Sequence, residues 1–582
     1  MRRNFTTAFT YLSGKGVIKF NPNTEFAGAT PLEDFLAGDP KSGKILSGDP
    51  QRSVSMWSIA GFVQDDWRIT PRLTANLGLR YDLNTVIKEA HNLLGNFDPQ
   101  VGLVQVGDQI SSPYNGDHNN FAPRIGLAWD PTGKGKTVIR AGGGVIYEQF
   151  DFNIFLSQQG TSNASTLGLN TVPTGGIGVQ PGNGTIAVAP ITFKGGALNW
   201  TATGPVFPTG TVDCGANPCS IMAVDRNLRT PYVTSWNLNV QQAITQNLSL
   251  ELGYVGNHGT KLTGLRDINQ VNQALDDGGE QIGRPYNAQF PFLAFINQLS
   301  NGYESSYNAL QATLTQRPFH GLSYIVGYTY SHALDDVSES ALGNVPQNSL
   351  NPGAEYASSD YDIRHRLTIA TTYQIPGKQA WGQLLEGWQL NSIVTLQSAQ
   401  PWNVSDQGDD ISLTGELNDR WDFHGNPSDF TSGPTSIPYF AGASNPACVA
   451  QANTAALLAS LQQFGCYAKG SSVMTPPAAG TFGIMGRNIF RDSGFRNWDL
   501  SVVKYWKFRE RFGAQFRAEF FNVLNHPNFA NPWGAANQYN LTDPSVHGSF
   551  GCGCSTPDVA ATNPVIGSGS NRAVQLGAKF TF

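Results

Sequence analysis

The feature that most constrains this chain is a two-residue alternation of apolar and polar side chains that recurs in long segments. Between Leu73 and Leu83 the odd positions read Leu, Ala, Leu, Leu, Tyr and Leu, while the even positions are polar, charged or glycine. The even positions from Phe512 to Phe520 read Phe, Ala, Phe, Ala and Phe. A period of two predicts strands with one apolar face. The segments are about 9 to 13 residues long, which exceeds the usual length of soluble strands and suits strands that cross a bilayer.

The spacing of these segments predicts six hairpins. Connections of about two to ten residues alternate with connections of roughly 30 to 100 residues. The predicted hairpins are 57–69 with 73–83, 122–130 with 137–149, 232–244 with 248–256, 306–317 with 321–332, 365–376 with 387–397, and 498–508 with 511–523. Further strands at Phe5–Tyr11 and 571–582 bring the number to about 14. Outer-membrane barrels have this alternation, because their periplasmic turns are short and their extracellular loops are long.

Composition excludes several other classes of protein. Charged residues are 14% of the 582, and 37 Lys+Arg against 43 Asp+Glu give a net charge of −6, so a basic nucleic-acid-binding protein is not predicted. The 11% of aromatic residues is too high for a disordered chain. The sequence has no run of about 18 uncharged apolar residues, so a helical membrane span is not predicted. We therefore predict an all-β fold, a transmembrane antiparallel β-barrel in the lipid of a Gram-negative outer membrane.

No arrangement of side chains in the sequence indicates a catalytic, cofactor or metal site. His258, His320 and His526 are flanked by glycine, proline or asparagine and are expected to be solvated residues in turns. The run Gly142–Gly144 lacks the Gly-Lys-Ser/Thr ending of a phosphate-binding loop. It is expected in mid-strand, where glycine permits bending or the close approach of a loop. We therefore predict that the protein is not an enzyme.

Two charged groups have alternative interpretations. One gathers at a predicted strand start, where an ion-pair cluster at the lumen or rim of the barrel is favoured over a catalytic group. Its members are Asp362, Arg364, His365 and Arg366. The other is the oxygen-rich segment Asp406–Asp410, which lacks the spacing of an EF-hand. A solvated loop is therefore favoured there over a calcium site.

The six cysteines lie in stretches rich in glycine, proline and asparagine. The close pairs are Cys214 with Cys219, Cys448 with Cys466, and Cys552 with Cys554. No second C-x-x-C or histidine pair completes a zinc site. Loop disulfides in an oxidising compartment are therefore favoured, although the spacing alone does not decide whether each pair is bonded.

Several stretches resemble the barrel of TonB-dependent transporters. They are Gly61–Thr70 (GFVQDDWRIT), Leu73–Asp82 (LTANLGLRYD), Asn120–Trp129 (NFAPRIGLAW) and Arg140–Tyr147 (RAGGGVIY). Stretches that resemble the Oar-like branch of that family are Pro231–Val240, Leu252–His258, Tyr307–Leu314, Asp362–Leu367 and Phe520–His526. The resemblance implies a family barrel of about 22 strands. It also implies uptake of a scarce solute, such as an iron chelate or an oligosaccharide, driven by the TonB complex.

The N-terminal parts of such transporters have no counterpart in this sequence, which lacks a recognisable signal peptide, TonB box, plug and small β-sandwich domain. We expect one barrel domain, residues 1–582, that corresponds to the C-terminal part of the family barrel, so that TonB would act only through the missing plug. Phe582 ends an alternating strand and resembles the signal that the barrel assembly machinery reads.

Two other functions stay open. A passive porin-like channel or a surface adhesion scaffold keeps the barrel and needs no energy coupling. A secreted all-β carbohydrate-active protein would use its aromatic residues in a sugar cleft. Loops 150–231 and 398–497 are the expected ligand-contact regions, because the barrel presents them. The spacing of Ala452–Phe464 predicts a short helix within the second loop.

Overall fold

The fold is seen in a computed structural model of the chain. The structure describes residues 2–9, 17–20, 30–37, 42–47, 51–92, 94–150, 152, 155, 166–167, 185–186, 189–194, 199–201, 204–206, 212–213, 218–272, 281–338, 345–377, 383–404, 410–416, 419–431, 439–492, 494–509, 512–529 and 571–582.

Fourteen strands in these ranges form one antiparallel ladder, in which each strand pairs with the next along the chain. They are β1 (Arg2–Phe9), β2 (Gln51–Thr70), β3 (Leu73–Asn84), β4 (Phe121–Trp129), β5 (Thr137–Tyr147), β6 (Tyr232–Ala243), β7 (Leu248–Asp267), β8 (Leu293–Phe319), β9 (Leu322–Asp335), β10 (His365–Gln374), β11 (Trp388–Gln397), β12 (Phe495–Arg509), β13 (Phe512–Phe521) and β14 (Ala573–Thr581). The six predicted hairpins and both single strands are confirmed. Among the described pairings none joins β1 to β14, so these two strands are the edges of the ladder.

The predicted alternation separates the ladder into an apolar and a polar face. Leu77 lies opposite Ile125 on the apolar face, and their side chains are 43% and 54% exposed. Leu576 and Phe580 of β14 are 65% and 73% exposed on the same face. So large an exposed apolar surface is unfavourable in water and suits a wall that contacts lipid.

Short turns and long connections alternate along the whole ladder. The strand ends that are joined by residues 71–72, 130–136, 244–247, 320–321, 375–387 and 510–511 lie at one end of the ladder, the short-turn end. The connections 10–50, 85–120, 148–231, 268–292, 336–364, 398–494 and 522–572 leave from the other, the long-loop end. The arrangement agrees with the predicted separation of turns and loops.

Strands β7 and β8 are longer than predicted at the long-loop end. The prediction ended β7 at residue 256 because Gly256-Asn257-His258-Gly259 has the composition of a turn. The pairing instead continues past irregularities between Gly259 and Thr263 as far as Asp267. The outer part of β8 also pairs in parallel with Cys219–Val224. Tertiary pairing therefore overrides the local turn preference.

The connections contain short elements of their own. The strands outside the ladder are Val17–Lys19, Ser42–Ser47, Lys88–Glu89, Gly95–Asp98, Gly102–Gln105, Thr166–Leu167, Thr185–Ile186, Ala189–Lys194, Asn199–Thr201, Gly204–Val206, Val212–Asp213, Cys219–Val224, Ala357–Ser358, Pro401–Trp402, Asp422–His424, Tyr467–Lys469, Ser472–Thr475 and Phe490–Arg491. The helices are α1 (Pro31–Ala37), α2 (Pro446–Val449) and α3 (Ala455–Phe464), with 3₁₀ turns at Pro352–Glu355 and Pro427–Asp429. Within the described ranges, none of the helices has the length and apolar character needed to cross a membrane.

The long connections pack against one another and against the ends of the strands. One buried cluster joins Val54 of β2 and Leu265 of β7 to Tyr114, Phe155 and Val345 of three connections. Connection 398–494 has a separate core of aromatic and aliphatic side chains. It comprises Trp402, Val404, Ile411, Trp421, Phe430, Tyr439, Tyr467, Met474, Met485 and Phe490. The packed connections form a cap over the long-loop end of the ladder.

Candidate functional site

The polar face of the ladder carries a series of paired polar side chains. Arg80 contacts Asp82 at 2.8 Å, and Arg517 lies 3.8 Å from Glu519. Asn76 donates a hydrogen bond to Asp66 across the β2–β3 pair. Charged and amide groups of this kind can stay hydrated or bind a polar solute, so this face suits the lining of an aqueous passage.

The glycines of β5 lie in mid-strand, as predicted. A Cβ atom at Gly144 would lie 2.9 Å from Cγ of Arg124 and 3.1 Å from the carbonyl oxygen of Pro123. Glycine is therefore required for the close approach of β4 and β5 at this level.

An arginine–carboxylate network, which we call the clasp, joins connection 398–494 to β9 and connection 336–364. Arg420 donates two hydrogen bonds to the Glu355 carboxylate, at 2.7 and 3.0 Å, and both side chains are less than a tenth exposed. Arg487 pairs with Asp335 of β9. A bidentate arginine–carboxylate pair fixes orientation as well as distance, so the clasp holds the two connections in one arrangement.

The predicted ion-pair cluster at the start of β10 is centred on Asp362, whose side chain is fully buried. Its carboxylate accepts hydrogen bonds from the backbone N–H of Ala333 at 2.8 Å and from Arg491, and Arg364 Nε lies at 3.1 Å. His365 is outside this cluster, since its Nδ1 lies 2.8 Å from the Tyr328 hydroxyl. Arg366 is exposed on β10 and makes no ion pair within the described part of the chain.

A second acidic group lies in residues 410–416 and Asp419, which we call the acidic loop. Asp410 accepts hydrogen bonds from the backbone N–H groups of Thr414 at 2.9 Å and Gly415 at 2.7 Å. The N–H of Ser412 donates to Asp419 at 2.7 Å. These contacts hold the loop in one arrangement.

Burial changes the acidity of this loop. It raises the pKa of Asp419 to about 7, and Asp410 adds to the shift through charge repulsion. Burial also raises the pKa of Glu416 well above its usual value, with repulsion from Asp267 as the next cause. Of the segment that the sequence offered for calcium, residues 406–409 lie outside the described residues. Within the described ranges no three acidic, histidine or cysteine side chains are arranged to hold a metal ion.

One predicted disulfide is present in the cap. Cys448 and Cys466 are bonded, and they join α2 to the chain that follows α3. Cys214, Cys552 and Cys554 lie outside the described residues. The predicted helix in this connection is confirmed as α3, whose N-cap Thr454 accepts a hydrogen bond from Leu457 N–H.

Two of the three singled-out histidines lie in turns, as expected, and the third does not. His320 occupies a left-handed position in the β8–β9 turn, with φ 50°. His526 follows β13 and donates its N–H to Asn522. The prediction was wrong for His258, which lies within β7, opposite Thr234 of β6. Its Nε2 is 3.5 Å from Glu304 of β8, because β7 continues through the glycines that flank this histidine.

The two predicted ligand-contact regions are described to different extents. Connection 398–494 contributes a packed core of its own to the cap, whereas most of 150–231 lies outside the described residues. Sequence reasoning missed the buried pair of Asp267 and Arg284, whose Oδ2 and Nη1 atoms are 3.2 Å apart with both side chains fully buried. It also missed Arg420 with Glu355. No local pattern marked either pair, because the partners are 17 and 65 positions apart in the sequence.

Comparison with known proteins adds evidence about the family. Residues 1–557 match the family model described as outer membrane beta barrel domain. The TonB-dependent transporter Oar of Myxococcus xanthus is 31% identical over 97 residues, which are 17% of this chain and 7% of that protein.

Solved structures with a similar arrangement of strands include three outer-membrane proteins. The outer membrane transporter YddB from Escherichia coli has a TM-score of 0.43 at 10% identity, over 93% of this chain and 50% of its own. The ferripyoverdine receptor of Pseudomonas aeruginosa has a TM-score of 0.39 at 9% identity, over 91% and 39%. The ferric enterobactin receptor PfeA of Pseudomonas aeruginosa has a TM-score of 0.41 at 11% identity, over 93% and 51%. The chain thus spans about half, or less, of the length of these proteins.

Proposed function

Because the chain belongs to the outer membrane beta barrel domain family, we propose that it is the barrel of a TonB-dependent receptor of the Oar-like branch. In this proposal it takes up a scarce solute, such as an iron chelate or an oligosaccharide. The protein is located in the outer membrane, where the long-loop end of the ladder is extracellular. The observation that carries the proposal is a polar ladder face beneath a packed extracellular cap.

Residues 1–582 form one barrel domain in this proposal, which corresponds to the C-terminal part of the family barrel. Its support is that β1 pairs with β2 and β14 pairs with β13. Both ends of the chain therefore contribute to the same sheet. A sheet with two unpaired edges is costly in lipid, so the proposal requires further strands, or a second sheet edge, beside β1 and β14.

The partners follow from the same proposal. The TonB complex would supply energy through the plug of the full receptor. The barrel assembly machinery would recognise β14 and the exposed Phe582 that ends it. Neither partner requires a catalytic group, and the receptor role is compatible with a protein that is not an enzyme.

Uptake by whole cells tests the proposal. A deletion strain and a strain that carries the gene are supplied with ⁵⁵Fe-labelled ferric siderophores and with labelled maltooligosaccharides. The receptor hypothesis predicts that the gene increases accumulation of one solute class, and that a protonophore or deletion of tonB removes the increase. An increase that persists without proton-motive force would support a passive channel instead.

The absence of any gene-dependent accumulation, together with binding of intact cells to a surface, would favour the adhesion scaffold. Recovery of the protein from the culture medium, rather than from the outer-membrane fraction, would contradict the barrel itself.

A further inference from the structure

The apolar face of the ladder carries basic side chains at the extracellular end of β9–β12. On β10 this face runs from Tyr373 through Ile369 to Leu367 and then to His365. The eight residue steps from Tyr373 to His365 span about 26 Å along the strand, and a tilt of about 40° reduces this to roughly 20 Å along the membrane normal. Because the apolar band of a membrane barrel is about 25 Å tall, His365 lies near its outer edge.

Three other cationic or titratable side chains lie near this end of the same face. His332 is two residues beyond Tyr330, the residue of β9 that pairs with His365. Arg364 reaches this face because its Nη2 lies 3.1 Å from Nε2 of His332. Arg496 of β12 pairs with Leu396 of β11, which pairs with Leu367. We call His332, Arg364, His365 and Arg496 the basic patch.

The charge of this patch is not cancelled locally. Asp362 is the acid in contact with it, 3.4 Å from His332 and 3.1 Å from Arg364, and this one buried carboxylate is also shared by Arg491. Glu304 lies on the same face of β8. It is four residues beyond Asn308, which is the residue that pairs with His332, and its carboxylate is 3.5 Å from His258. His365 and Arg496 are exposed, and within the described part of the chain neither has a carboxylate partner.

The dimensions and surroundings of the patch indicate what it binds. Adjacent strands are about 4.8 Å apart, so the four side chains spread over roughly 14 Å across β9 to β12. In the strand register His332 is two residues above the level of His365, and Arg496 is two residues below it. Tyr328 and Tyr330, 37% and 48% exposed, lie among them on the same face of β9, where Tyr330 pairs with His365 and Tyr328 pairs with Leu367. Tyrosine prefers the membrane–water interface. Arginine binds phosphate through paired N–H groups. The apolar wall beneath would contact acyl chains attached to that phosphate.

We propose that the basic patch binds the phosphorylated headgroup of an outer-leaflet lipid. A soluble anion is a poorer occupant, because the patch lies on the lipid side of the wall and not on its polar face. The inference rests on the outer-membrane location and is independent of which solute the protein carries.

Native mass spectrometry of the delipidated full chain in detergent, mixed with diphosphoryl lipid A, tests this inference. The main variants are Arg496→Gln and Arg496→Gln/His365→Gln. The matched control is Arg517→Gln, which removes an exposed arginine from the polar face of β13. Removal of one cationic side chain at a membrane surface should weaken binding about fivefold. We expect that loss for Arg496→Gln, a larger loss for the double variant, and less than a twofold change for the control.

A measurement on the unaltered protein keeps the inference falsifiable if a variant fails to fold, which its heat-dependent gel migration would reveal. Lipid A that lacks both phosphates should bind the unaltered protein at least tenfold more weakly than the diphosphoryl form. Equal binding of the two lipids would overturn the proposal. Equal losses in Arg496→Gln and Arg517→Gln would overturn it as well, because they would mean attraction to overall charge and not to this patch.

Discussion

Replacement of Arg420 by methionine tests whether the clasp holds the extracellular cap in one arrangement. Arg420 bonds both oxygens of Glu355 and donates from Nε to the carbonyl oxygen of Met485 at 2.9 Å. Its removal leaves the Glu355 carboxylate 7% exposed and without its cation. The remaining contact to that carboxylate in the clasp is the N–H of Gln347, at 3.2 Å.

The magnitude follows from this burial. Breaking a buried ion pair by the removal of one partner costs roughly 3–5 kcal/mol, because the other charge stays desolvated. If the cap opens locally, the same free energy appears as a loss of amide protection of roughly a hundredfold to several thousandfold. The amides to follow are those of Ile411 and Trp421 in the cap, since strand hydrogen bonds should keep those of β10 and β11 unchanged.

The assay is hydrogen exchange of the purified protein, with two matched controls. Arg420→Met/Glu355→Met removes both charges and should recover most of the protection, because an apolar pair of similar volume is often as stable as a buried ion pair. Arg517→Met breaks an exposed pair and should change protection by less than a factor of five. Protection in Arg420→Met within fivefold of the unaltered protein, or a double variant less protected than the single one, would refute this account of the clasp.

Three further predictions concern the acidic loop, the disulfide and the periplasmic connection 375–387 between β10 and β11. Burial raises the pKa of Asp419 from 3.8 to about 7, so the contribution of this carboxyl to stability is full below about pH 4 and is lost as the pH rises through 7. Amide protection in the acidic loop should therefore be lower at pH 8 than at pH 5. The Asp419→Asn variant should remove most of that difference. Cys448→Ser/Cys466→Ser opens a crosslink across 18 positions and should cost about 3 kcal/mol, measured as faster proteolysis of the cap, with an unchanged rate contradicting it. Lys504 is 1% exposed and donates to the carbonyl oxygens of residues 383, 386 and 505. Lys504→Met should destabilise the connection between β10 and β11 by roughly 1–3 kcal/mol. Equal hydrogen exchange of the described amides of this connection in the variant and in the unaltered protein would disprove the role of Lys504.

The ladder was predictable because its physical cause is local. Lipid on one side and water on the other impose a period of two on each strand, so β3 and β13 could be read from the alternation of Leu73–Leu83 and Phe512–Phe520 alone. The outer halves of β7 and β8 were not predictable in this way. They lie beyond the apolar band, where the two-residue alternation of apolar and polar side chains ends and the glycines around His258 resemble a turn.

The cap was largely unpredictable because its contacts join distant positions. Arg487 and Asp335 are 152 residues apart, and nothing in either neighbourhood specifies the other. An ion-pair cluster around Asp362 was predicted because Arg364 is only two positions away in the sequence, whereas the contribution of Arg491 was not predicted. Cys448 and Cys466 were grouped as a pair because they are close in the sequence, and the structure shows that they are bonded.

Site-directed spin labelling of β13 in lipid vesicles tests the central claim, that this chain is a membrane barrel wall with one face to lipid and one to water. Cysteine would be introduced singly at Ala514 through Phe520 and labelled, with accessibility to oxygen and to a water-soluble nickel complex measured at each site. We predict oxygen maxima at the even positions and nickel maxima at Gln515, Arg517 and Glu519, because the side chains alternate between lipid and water. Equal accessibility at odd and even positions, or labels that all contact the nickel complex, would contradict the barrel.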